Sequence, residues 1–125
     1  MHLLRTAVLL TIPVAGLIAL IALEVIRGAS GGGLPPVAML TGIVCLSALP
    51  VILLATSAGA LARWVSFGIA LLMSLFHALH ILEHAAAPDF GMAMLILITM
   101  FAPSFLAAVQ LWTSRNPAPA QAEQA

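Results

Sequence analysis

No charged residue stands between Arg5 and Glu24, between Arg27 and Arg63, between Arg63 and Glu83, or between Asp89 and Arg115. A helix needs about 20 apolar residues to cross the hydrocarbon of a bilayer, and each of these intervals is about that long or longer. Only 6% of the chain is charged and 63% is hydrophobic, whereas a soluble domain carries about 25% charged residues. A core of this chain's size cannot hide so much apolar surface from water. The sequence therefore specifies an integral membrane protein.

The interval from Arg27 to Arg63 exceeds one span. Its first part, "GASGGGLPP" (28–36), is rich in Gly and Pro and reads as a loop. Four spans result, at roughly 5–26, 37–57, 61–84 and 89–112. Backbone groups in hydrocarbon must find their partners within the segment, so the spans are expected to be helices packed as one bundle. Alternating strand patterns are absent, which excludes a β-barrel of the usual kind. The fold class is all-α: a four-helix transmembrane domain over 1–113, followed by a Pro/Ala/Gln-rich tail (114–125) expected to be disordered. The uncharged run from Thr6 to Leu23 is longer than the ~7–15 apolar residues of a signal peptide, so the first span is expected to be a retained helix.

With the N-terminus inside, Arg5, Arg63 and Arg115 fall on the cytoplasmic side and Arg27 alone outside, in the direction of the positive-inside rule. The expectation is a multi-pass protein of a bacterial-type inner membrane with both termini cytoplasmic. Net charge is zero, so no basic patch points to nucleic acid. Cys45 is the single cysteine and cannot form an internal disulfide. The expected partners are the lipid bilayer and other membrane subunits or a second copy of the chain.

Chemistry concentrates in "HALHILEH" (77–84). At about 100° per residue, His77, His80 and His84 lie within roughly 60° of one another on a helix. His80 and His84 are an i, i+4 pair, a spacing at which two imidazoles can share a metal. Glu83 is placed to hydrogen-bond an imidazole or to join the first shell. Ala62, Ser66, Ala70, Ser74 and Ala78 form a ridge of small residues on the same helix, which admits a close helix neighbour. The ridge drifts across the histidine face, so the imidazoles are expected to point toward protein and away from lipid. By helical rise Glu24 lies about 28 Å above Arg5, and His77 and His84 about 21 and 31 Å above Arg63. Glu24 thus shares a level with the histidines, near Met39, Met92 and Met94. Pro13, Pro50 and Pro103 interrupt the other three spans, leaving the histidine helix the straightest.

The candidate metal ligands are His77, His80, Glu83, His84 and Glu24. Imidazole and carboxylate suit zinc, the methionines add an affinity for copper, and one histidine can serve a haem or chlorophyll as axial ligand. "HILEH" also fits the H-x-x-E-H pattern of zinc peptidases. The only later carboxylates are Asp89, in a short loop, and Glu123, in the tail, so catalysis is not expected. The role expected first is that of a non-catalytic accessory or metal-handling subunit. The alternatives are a small proton-coupled transporter using Glu24 and the histidines, and a purely structural anchor of a membrane complex. In the last case the polar cluster would merely suit a helix end, where His84 complements the dipole.

Overall fold

A computed structural model describes residues 2–28, 37–87 and 89–115. Helix α1 spans His2–Gly28, α2 Val37–Thr56 and α3 Ala60–Ala86. The fourth rod is continuous but not uniform: α4 (Phe90–Ile96), a π-helical turn (Leu97–Phe101) and α5 (Ala102–Arg115). All four rods are long and apolar enough to cross a membrane, and there is no strand among the described residues. The protein is thus a multi-pass, all-α membrane protein. The expected spans hold within a few residues; the turn between α2 and α3, expected at 58–60, falls at 57–59. The expected loop at 28–36 lies, after Gly28, outside the described residues, as does the tail beyond Arg115.

The rods stand at the corners of a square. α1 packs on α2 and on the fourth rod, and α3 packs on the same two neighbours. His2 and Ser114 border a common cleft with Arg5, Thr6 and Gln110, so the two ends of the described chain meet at one end of the bundle. There the buried Thr6 hydroxyl has two acceptors in range, the His2 carbonyl at 3.0 Å and Gln110 Oε1 at 2.9 Å, the latter linking α1 to α5. Trp64 and Trp112, each about half exposed, flank Phe67 at this end, with ring centres 6.2 and 5.6 Å from it. Amphipathic rings of this kind settle at a membrane–water boundary.

Close packing starts from the small residues. Ala62, Ser66, Ala70 and Ser74 are all buried on α3, and Ala70 belongs to one cluster with Ala7 of α1 and Ala107 and Ala108 of α5. Lipid chains are as apolar as leucine, so helices in a bilayer gain from backbone proximity and dispersion contacts more than from leaving the solvent. Alanine and serine permit that proximity. Large side chains such as Leu72, Leu75, Leu79 and Leu82 go to the outside of α3.

The π-helical turn has a local cause. Pro103 has no N–H to give to residue 99 and its ring crowds that carbonyl. The helix widens one position earlier: Ala102 N–H bonds to Leu97 O, five residues back. The wider turn carries Met100, 2% exposed, into the bundle opposite Gly16 of α1. A Cβ on Gly16 would sit 3.3 Å from Thr99 Oγ1 and 3.4 Å from Met100 Cε and Cγ. Gly16→Val is expected to push α1 off the π-helical turn and to destabilise the bundle by about 1–3 kcal/mol, as overpacking does. Reversible unfolding in mixed micelles measures the loss; Gly42→Val, where nothing lies within 4 Å, is the control that should leave packing intact.

Candidate functional site

α3 sets the depth of each histidine by rotation. A step of four residues turns the helix by about 40°, so the small-residue ridge slides across the inward face as it rises. Toward the end of the helix Met73 and His77 occupy the centre of that face, and both are buried. Ala78, about 100° round from His77, is only half buried. His77 is 2% exposed, the most enclosed of the histidines whose side chains are described. One and two turns later the ring positions rise past the packed interior: the side chains of His80 and His84 are 36% and 27% exposed.

The two outer histidines make the same contact with different partners. His80 Nδ1 lies 3.5 Å from Glu83 Oε2 on its own helix. His84 Nδ1 lies 3.5 Å from Asp89 Oδ2, across the turn into α4. Their rings are 6.2 Å apart, centre to centre. Asp89 has two further tasks. Its carboxylate accepts from Met92 N–H at 3.3 Å as the N-cap of α4, and its backbone N–H bonds to His84 O at 2.8 Å. Together with Ala87 N–H on Glu83 O at 3.1 Å, this closes the carbonyl end of α3. One residue therefore ties the end of α3, the start of α4 and the outermost imidazole.

Below this rim a cleft of about 130 Å³ opens among all four rods, lined by Leu17, Leu20, Met39, Phe76, His77, His80 and Met100 among others. Phe76 forms a flat wall with His80, with ring centres 4.9 Å apart and planes 30° from parallel. On its other side His77 borders a void of only about 10 Å³ beside Ser47, Ser104 and the buried rings of Pro13 and Pro50.

The expected ligand set is thus only partly assembled. His80 and His84 stand side by side with carboxylates at Nδ1, while His77 turns into the cleft. Glu24 belongs to α1, but its side chain lies outside the described residues. Met39 borders the cleft, Met92 is buried, and Met94 is exposed on the far side of α4. Among the described residues no three His, Cys, Asp or Glu side chains converge as a metal site. Asp89 was passed over in the sequence because it sits outside the apolar periodicity; an Asp three residues before a helix's first buried position is nonetheless a capping signal. Compared with models of known families, with curated proteins and with solved structures, the chain matches none.

The Asp89 contacts give a direct test of the turn. Asp89→Ala removes both the cap and the His84 contact and should lower stability by about 0.5–2 kcal/mol. Asp89→Asn caps nearly as well and should recover most of the loss. Equal destabilisation by both would show that the carboxylate contact with His84, not the cap, dominates there.

Proposed function

We propose that the protein is a metal-handling accessory subunit, without catalysis of its own, that receives copper or zinc on His80 and His84. One observation supports this above the others: the i, i+4 pair makes the same Nδ1–carboxylate contact twice, with Glu83 and with Asp89, each at 3.5 Å. A carboxylate at Nδ1 fixes the ring and leaves Nε2 as the ligand, the usual arrangement behind a metal-binding imidazole. Two imidazoles that each reach about 2.0–2.1 Å to one ion have ring centres about 5–6.4 Å apart, depending on the angle at the metal. The separation of 6.2 Å lies near the wide-angle end of that range, so a tetrahedral zinc needs the rings to close by about 1 Å.

Two protein ligands are too few for a structural zinc site, which closes with four. An open, half-exposed pair suits transient loading, with the remaining positions filled by water, by Glu24 or by a partner subunit. A tetrapyrrole is a weaker fit, because the cleft beside the histidines, at about 130 Å³, cannot enclose one.

The membrane is taken to be a bacterial-type inner membrane with both termini cytoplasmic. Arg5 and Arg63 lie at the end of the bundle where the described chain ends meet, and positive charge favours the cytoplasmic side. The histidine rim then faces the opposite compartment. A reporter active only outside the cytoplasm, fused after Ala125, should be silent, and the same reporter inserted between residues 28 and 36 should be active.

Metal titration of the purified protein in detergent tests the site. About one zinc or copper(I) per chain should bind, and the double change His80→Ala/His84→Ala should abolish it while helicity persists. Glu83→Gln and Asp89→Asn should each weaken binding by about 10–100-fold, the usual effect of removing a partner behind a ligand. If neither metal binds, or if the carboxylate changes leave affinity unmoved, the contacts serve only to clasp the end of α3.

A further inference from the structure

We infer that the cleft between the four rods is a binding site for the ring of a lipid-soluble quinone, held by a hydrogen bond from His77. The cleft shares His80 with the proposed metal site, as a wall and not as a ligand, and its polar contact comes from His77, which that site does not use. The starting point is the state of His77. Its side chain is 2% exposed, yet no described residue makes a hydrogen bond to its ring. An imidazole always carries at least one N–H donor, and buried donors are almost always paired. The fully enclosed side-chain polar atoms without a partner, among the described residues, are Arg63 Nε and Ser66 Oγ. The nitrogens of His77 are not among them. The open spaces it borders are the cleft and the void of about 10 Å³, which is at the lower limit for one water. Any occupant larger than a single water that satisfies His77 therefore comes from the cleft.

Size and lining narrow the occupant. The cleft measures about 130 Å³, close to the ~150 Å³ apolar cavity that admits a benzene molecule. It holds one six-membered ring and not a tetrapyrrole. Among the described residues its walls are apolar except for His77 and His80. None of these described residues is cationic, so they offer the phosphate of a phospholipid no counter-charge against its desolvation cost. A plain acyl chain would fit the walls but leave the His77 donor unmet. A quinone ring answers each constraint. Its carbonyl oxygen accepts from His77, its flat body lies along the Phe76–His80 wall, and its apolar tail leaves along the lipid-facing leucines. The inner surface around it, from Leu17, Leu20 and Met100, excludes water, which strengthens the one polar contact.

The experiment uses the full chain purified in detergent, with 2-decyl-1,4-benzoquinone, whose ring carries no other substituent, as the probe and 1-decanol as an alkyl competitor. Bound quinone is measured by absorbance after removal of free probe, and circular dichroism confirms that each variant is folded. Saturable binding of about one quinone per chain is expected, with decanol competing at least tenfold more weakly. His77→Phe removes the donor and should raise Kd at least tenfold. His77→Gln keeps an N–H donor and should stay within a few-fold of the parent; His77→Leu, which also lacks the donor and should raise Kd at least tenfold, carries the test if His77→Phe does not fold. Absence of saturable binding overturns the inference. So does equal affinity of His77→Phe and the parent, or of decanol and quinone, each of which would make the cleft a groove for lipid chains.

Discussion

In hydrocarbon a helix already satisfies its own backbone, so what brings the four rods together is how near their axes can come. That proximity depends on α3, whose Ala62, Ser66, Ala70 and Ser74 are buried and share a core with Ala7, Ala107 and Ala108. Gly16 plays the equivalent part on α1, where the π-helical turn presses against it. Each buried contact of this kind is small, and the lipid offers nearly equivalent contacts to a separated helix. Stability therefore rests on fit along the whole seam and less on any single large side chain. Most of the exposed large side chains on every rod are leucines, isoleucines and valines, while Leu10, Leu17, Leu54, Ile96 and Leu111 fill the interior between the small residues.

The same rotation that spreads the ridge across α3 decides what each histidine meets. His77 arrives on the inward face where the helices are still packed, and it becomes part of the interior. His80 and His84 lie on nearly the same bearing but higher, where the bundle thins toward the turn and polar partners are within reach. A single straight helix thus carries one imidazole into an apolar cleft and sets two others beside carboxylates at the rim. Intramembrane ionisable groups are costly and most often serve a function. Here their difference in depth gives one imidazole apolar surroundings and two others polar ones along about two turns of helix.

The architecture was legible because it follows from coarse quantities. Charge-free intervals located the four spans, and "GASGGGLPP" marked the break between the first two. The burial of His77 was legible as well, from its bearing relative to Ser66, Ala70 and Ser74. Three features were not. The π-helical turn depends on how Pro103 is accommodated, and proline permits a kink, a bulge or a simple bend. The division between His77 and the outer pair depends on where packing stops along α3, which no local pattern records. The role of Asp89 as cap and as His84's neighbour depends on a turn that is short enough to bring residue 89 back over residue 84. In each case the missing information is the distance between segments, which periodicity alone does not carry.

The central claim is the placement of α1 against the π-helical turn at the level of the cleft. It is tested most directly by paired cysteines in a Cys45→Ala background. Gly16→Cys/Thr99→Cys should oxidise to an intramolecular disulfide, seen as the loss of two thiols by mass, because the Gly16 Cβ position lies 3.3 Å from Thr99 Oγ1, the atom that a cysteine sulfur replaces, and in a disulfide a Cβ lies about 3 Å from the far sulfur. Ile18→Cys/Ile98→Cys, at two outward-facing positions, should keep both thiols. A disulfide in the second pair and none in the first would contradict the helix rotation on which the buried His77 and its cleft depend.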